Sequence, residues 1–369
     1  MSMLSLARAD LRGFRAYSSA RLEAGHQGVL LNANEWPWAP FDGGEGLNRY
    51  PAPQPPELLA ALSGLYGWPA EGILAGRGSD EAIDLLARGF CAAGVDAVLI
   101  CPPTFGMYRI CAQLQGARVI EVPLLADQGF ALDSEAVLAA VVQQRPKLVF
   151  LCSPNNPTGQ QVDRDQLLAL IDAIGERALV VVDEAYVEFA DGASLIDALA
   201  SRPQLLLLRT LSKAYGLAAV RLGVLLGSGE LMAFLRALMA PYPLPAPCVA
   251  LALQALDPAQ TAIRLQRLAL LRSERERLAA ALRSSPLVSH VWPSDANFLC
   301  FRCLDATALL RQLAARGLVL RDVSHYLGLS QCLRLSVGTP IQNDAVLSAL
   351  AELASAAAAA TTESESSCL

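Results

Sequence analysis

From about residue 57 to residue 226, mostly apolar runs alternate with amphipathic segments. The runs at 97–101, 118–122, 148–152, 179–183, 205–208 and 222–226 are rich in Val, Leu and Ile. Most of them lack the polar alternation of a half-exposed strand, so they are expected to be covered on both faces. Segments at 57–65, 80–92, 106–115, 134–142 and 164–174 repeat apolar residues at helical spacing. Strands and helices in alternation predict a mostly parallel sheet with helices on both faces, the doubly wound α/β class.

The pattern changes after Pro241, Pro243, Pro245 and Pro247. Helical spacing with charge-laced faces fills 248–283. Shorter strand-like runs follow at 288–292, 296–301, 319–322 and 332–336, with a helical segment at 306–316. These predict a smaller α+β domain. The expected division is an N-terminal arm or part of the small domain over 1–30, a large domain over 31–245, a small domain over 246–354 and a tail over 355–369. A short strand is expected at 28–31, and the Ala-rich, then Thr/Glu/Ser-rich tail is expected to be disordered.

Composition narrows the partners. The 369 residues are 53% hydrophobic and 17% charged, enough for a sizeable core. A net charge of −6 argues against nucleic acid and anionic membrane surfaces. The nine cysteines form no dense framework, and the lone Cys300–Cys303 pair reads as ordinary packing in a reducing compartment. Arg8 and Asp10 interrupt the N-terminus before any signal-length apolar stretch, and no run reaches membrane-spanning length. A cytoplasmic protein is expected. His26, His290 and His325 are too scattered for a metal site or a Ser-His triad, and no GxGxxG follows an early strand.

Chemistry concentrates where strand candidates end. Lys213 lies in a small-residue loop after the run at 205–208, and Arg221 follows eight positions later. Desolvation lowers an amine's pKa, and a neutral amine forms a Schiff base with an aldehyde. Pyridoxal phosphate is the obvious aldehyde, and its phosphate needs a cation such as Arg221. Ser153-Pro154-Asn155-Asn156-Pro157-Thr158-Gly159 fixes a turn that aims an amide outward, unless it is a plain Asn-Pro turn. Asp183 ends an apolar run, three residues before Tyr186. It suits either a helix N-cap or a charge partner for a pyridinium nitrogen. Gly76-Arg77-Gly78-Ser79-Asp80 opens a helical segment, as a phosphate cradle or as a simple cap. Phe105, within Pro103 to Tyr108, could stack on a planar ring or fill the core.

Taken in order, these motifs resemble the fold-type-I aminotransferases that use pyridoxal phosphate. Leu31-Asn32-Ala33-Asn34-Glu35, Asn48-Arg49-Tyr50-Pro51 and Leu333-Arg334-Leu335-Ser336 narrow the resemblance to the histidinol-phosphate branch, over about residues 11–354. The resemblance implies that Lys213 carries the cofactor as a Schiff base and moves the α-proton. It implies that Asp183 pairs with the ring nitrogen, and that Asn156 and Tyr186 bond the ring oxygen. Ser79, Asp80, Ser212 and Arg221 would hold the cofactor phosphate, and Phe105 would stack on the ring. Tyr50 would reach the cofactor of a second subunit, making a homodimer. Arg334 would take a substrate carboxylate and, with Arg321, the substrate phosphate, while Tyr17 and Asn34 would sit at the mouth. The implied reaction is transamination between L-histidinol phosphate and 2-oxoglutarate. A threonine-phosphate decarboxylase, an aromatic amino-acid aminotransferase and a non-catalytic binding protein remain alternatives on the same fold.

Overall fold

The computed structural model describes residues 2–14, 29, 31–192 and 194–366. Its centre is a seven-stranded sheet built from β1 (Ile73–Gly76), β2 (Ala97–Ile100), β3 (Arg118–Glu121), β4 (Leu148–Cys152), β5 (Leu179–Asp183), β6 (Leu205–Thr210) and β7 (Gly223–Leu226). The order is β1-β7-β6-β5-β4-β2-β3. Neighbours from β6 through β3 run parallel, whereas β7 is antiparallel to both β6 and β1. Every residue of β4, β5 and β6 is buried, as their uninterrupted apolar runs required. Strand β1 had no counterpart in the sequence reading. Its four residues include Ala75 and Gly76, which weaken a strand signal.

Helices cover both faces. On one, α1 (Pro56–Tyr66), α4 (Ser134–Gln144) and α5 (Arg164–Ile174) contribute Leu58, Leu62, Val137 and Ile171 to the core. On the other, α2 (Ser79–Phe90), α3 (Met107–Leu114) and α6 (Gly229–Leu238) contribute Ile83, Phe90, Tyr108 and Leu235. Met3 and Ala7 from the N-terminus join this second cluster. Helix α7 (Ala246–Leu256), expected with the small domain, buries Val249 and Ala252 in the same cluster as Leu58 and Leu62.

The long α8 (Thr261–Ser284) leads to a four-stranded antiparallel sheet of β8 (Val288–Val291), β9 (Phe298–Cys303), β10 (Arg321–Asp322) and β11 (Cys332–Ser336), ordered β10-β11-β9-β8. Leu299, Phe301, Leu333 and Leu335 on one face pack with α8, α9 (Ala306–Ala314) and α10 (Pro340–Ser366). Cys300 and Cys332 on the other face join the large-domain core. Cys300 and Cys303 therefore lie in different clusters, too divided to act as a ligand pair. Helix α10 continues to Ser366 where a disordered tail was expected, because five consecutive alanines from Ala356 to Ala360 favour helix over coil. Of the strand expected at 28–31, Val29 and Leu31 are described, and both are exposed and outside any strand; residues 28 and 30 lie outside the described residues. No helix among the described residues is long and apolar enough to cross a membrane.

Candidate active site

The carboxyl ends of β4, β5 and β6 open into a cleft of about 360 Å³ between the two sheets. Ligands in open α/β sheets sit at these ends. Strand β5 delivers Asp183 to the floor, 2% exposed. Its Oδ2 accepts from the Tyr108 hydroxyl at 2.6 Å, and its Oδ1 from the Ala185 N–H at 3.0 Å. Both donors are neutral. Burial raises the Asp183 carboxyl above its ordinary value, and these hydrogen bonds only partly offset that. No ion pair holds it among the described residues.

The turn after β4 splits its two asparagines. Asn155 faces inward, donating to Pro103 O and Thr158 Oγ1 and accepting from Thr104 Oγ1. Asn156 faces the cleft. Its Nδ2 donates to the Tyr186 hydroxyl at 3.3 Å, and its Oδ1 accepts from Arg334 Nη1 at 2.5 Å. One amide thus links the two domains across the site.

After β6, Leu211 N–H donates to Leu222 O and Leu217 N–H to Leu211 O, which folds the intervening residues into a tight loop. Gly216, at φ +69°, takes the left-handed conformation this loop needs. The loop aims Lys213 into the cleft, with Nζ 5.5 Å from the centroid of the Tyr186 ring. Burial lowers the Lys213 pKa, and Arg334 and Arg221 lower it further.

The start of α2 forms one wall. Helices α4, α5, α6 and α9 are each capped by the side chain of the residue before them: Asp133, Asp163, Ser228 and Asp305. Helix α2 begins after Gly78 with no side-chain cap. Gly78, Ser79 and Asp80 at its start line the cleft, and the free N–H groups of a helix N-terminus are a ready-made anion site. Arg221 stands over it with Nη2 3.1 Å from Asp80 Oδ2, its own backbone at φ +58°. Two glycines make room. A Cβ on Gly78 would lie 2.7 Å from Arg221 Nη2, and one on Gly223 would lie 2.1 Å from Ser79 N.

Phe105 and Ser212 also line the cleft, and from the small domain come Arg321, Val323, Tyr326 and Arg334. Arg321 and Arg334 are direct partners in the β10–β11 register, so their guanidinium groups enter together. Other expected residues fall elsewhere. Asn34 is exposed at φ +54° and does not line the cleft. Tyr50, 47% exposed, stacks on Tyr242 at 4.3 Å and borders a separate surface hollow. Tyr17 lies outside the described residues. Sequence reasoning missed Tyr108, Thr210 and Tyr326. Tyr108 closes a hexapeptide in which only Phe105 received a role, and its position beneath Asp183 depends on the phase of α3.

This architecture, with amine chemistry at the strand ends, is that of a fold-type-I aminotransferase. The chain belongs to the aminotransferase class I and II family, whose pattern matches residues 25–350. It is 49% identical over 354 residues to the histidinol-phosphate aminotransferase of Xylella fastidiosa (strain 9a5c), covering 95% of this chain and 97% of that one. It is 49% identical over 359 residues to the enzyme of the same name from Xanthomonas axonopodis pv. citri (strain 306), covering 97% and 99%. Among solved structures it resembles histidinol-phosphate aminotransferase from Sinorhizobium meliloti in complex with pyridoxal-5'-phosphate. The TM-score there is 0.76 at 27% identity, over 84% of this chain and 83% of that one.

Proposed function

We propose that the chain catalyses pyridoxal-phosphate-dependent transamination between L-histidinol phosphate and 2-oxoglutarate, giving imidazole acetol phosphate and glutamate in histidine biosynthesis. One observation carries this reading beyond the full-length likeness to relatives of that name. A single cleft holds a desolvated lysine between two separate cationic ends, Arg221 at the start of α2 and Arg321 with Arg334 on the small sheet. The first suits a cofactor phosphate and the second a substrate phosphate.

The residues fit the cofactor. Asp183 is a buried carboxylate held only by neutral donors, and a protonated pyridine nitrogen would supply the missing cation. The uncapped start of α2, Ser79, Asp80, Ser212 and Arg221 would hold the phosphate. Asn156 and Tyr186 would bond the ring oxygen, and Phe105 would cover the ring face. When bound, pyridoxal phosphate supplies an electron sink for the carbanion formed at the substrate α-carbon.

The chain's own groups do the rest. Burial, with Arg334 and Arg221 nearby, lowers the pKa of Lys213 Nζ, which favours the amine that would hold the cofactor aldehyde and take the proton from the substrate α-carbon. Asp183 would hold its charge against the ring nitrogen. Arg334 and Arg321 orient the far end of the substrate, and the Arg334–Asn156 bond couples that grip to the ring side of the cleft. Tyr50 does not line its own cleft and would reach that of a second copy, so the working unit would be a homodimer; the cytoplasm is its proposed compartment. The half-exposed Tyr50–Tyr242 stack supports this.

Holoenzyme mixed with L-histidinol phosphate, without keto acid, tests the reading. The visible band of the cofactor on Lys213 should give way to that of its amine form, and 2-oxoglutarate should restore it. A spectrum indifferent to histidinol phosphate would overturn the assignment.

A further inference from the structure

We propose that Tyr326 makes the substrate subsite favour a tetrahedral phosphoryl group over a planar carboxylate. The inference rests on the functional reading above, in which one subsite must accept histidinol phosphate in one half-reaction and glutamate in the other. Tyr326 lines the cleft beside Arg321 and Arg334. The Tyr186 hydroxyl is engaged by Asn156, and that of Tyr108 donates to Asp183. The Tyr326 hydroxyl has no hydrogen-bond partner among the described residues.

Its position is fixed. Asp322 accepts from the Ser324 N–H at 2.8 Å, Tyr326 N–H donates to Val323 O at 3.1 Å, and Leu329 N–H donates to Tyr326 O at 3.1 Å. The ring packs against the core and against His325, with centroids 4.3 Å apart. The phenol is therefore held in place before any ligand arrives, which lowers the entropic cost of its contact. Across the cleft mouth it meets Gly106. A Cβ there would have the Tyr326 hydroxyl at 3.9 Å as its one neighbour within 4 Å. Gly106 sits at φ −65°, a conformation open to any residue. A longer side chain at that position would crowd the hydroxyl.

The shape of the acceptor gives the selectivity. A carboxylate presents two oxygens, which the forks of Arg321 and Arg334 can satisfy. Arg334 already spends Nη1 on Asn156. A phosphoryl group presents a third terminal oxygen out of the carboxylate plane, and the free Tyr326 O–H beside the two planar guanidinium forks can donate to it.

Tyr326→Phe in the full-length holoenzyme tests this, with each half-reaction measured separately. The KM for histidinol phosphate should rise about tenfold, the size expected for losing one hydrogen bond to a charged group. Its kcat, the KM for glutamate and the cofactor spectrum should stay within about twofold of wild type. An equal rise in KM for both substrates would overturn the proposal, since it would mark general disturbance of the small domain. An unchanged KM for histidinol phosphate would overturn it too. Wild-type reaction with histidinol phosphate separates the two levels: if wild type does not react, the functional reading fails and this inference with it. If wild type reacts and the variant matches it, this inference alone fails.

Discussion

Asp183 and Glu184 are neighbours in sequence and equally buried, at 2% and 1% exposure, yet their partners are of opposite kinds. Glu184 is met by the chain itself. Arg209 Nη1 donates to its Oε2 at 3.0 Å, Ser194 Oγ to the same oxygen at 2.9 Å and Leu195 N–H to its Oε1 at 2.7 Å. Arg209 also pairs with Glu188 at 2.6 Å and lies 4.9 Å from the centroid of the Tyr66 ring. Asp183, turned the other way at the end of β5, receives only a phenol and an amide N–H. A buried charge is tolerable when a countercharge and hydrogen bonds surround it. Glu184 has such a setting within the fold. Asp183 has no such setting, which fits the proposal that a protonated ring nitrogen of the cofactor would complete it.

Four substitutions would break or sharpen that contrast. The largest effect belongs to Lys213→Ala. It should abolish the visible cofactor band and lower turnover by about 10⁴-fold or more, read by absorbance and steady-state rates. Next is Arg209→Met, which strands Glu184 and Glu188 without their countercharge. It should cost about 3–5 kcal/mol of stability in urea unfolding, with and without cofactor alike. Asp183→Asn comes third. Activity should fall about 10²–10³-fold, as when one preorganised electrostatic contact is removed.

The cofactor-free form of Asp183→Asn should nonetheless be more stable than wild type at neutral pH. Burial raises the folded-state pKa of Asp183, so the folded chain keeps that proton to higher pH than the unfolded chain does. Wild-type stability without cofactor therefore declines as pH rises from about 4 through the raised folded value, and above it the loss stays constant. Asparagine removes this loss, and thermal melts across pH would show it. Tyr108→Phe has the smallest effect. Without the phenol's hydrogen bond the Asp183 pKa rises further, so the acid limb of the pH–rate profile should move to higher pH. Stability should change by about 1 kcal/mol.

The same contrast shows how much was readable in the chain. Asp183 and Glu184 could not be told apart by type or by neighbours. What singled out Asp183 was its place at the end of an all-apolar run, where period-two alternation sends consecutive side chains to opposite faces. The large sheet was legible because its central strands are uninterrupted Val/Leu/Ile runs, and the lysine loop because it follows one of them. Strand β1 was hidden by its brevity and its Ala-Gly content. Tyr108 and Tyr326 depend on how a helix and a turn dock, which no local pattern encodes. Helix α7 joins the large domain through Val249 and Ala252, whereas the proline cluster before it read as a boundary. Proline marks where the backbone bends, not which core the next helix enters.

We propose that Asp183 is held for the cofactor and Glu184 for the fold. It is tested most directly by the rise in melting temperature that pyridoxal phosphate causes in wild type, Asp183→Asn and Glu184→Gln. The rise should be large in wild type and mostly lost in Asp183→Asn. In Glu184→Gln the rise should be nearly intact, on a baseline lowered with and without cofactor. An undiminished rise in Asp183→Asn, or a rise lost only in Glu184→Gln, would contradict it.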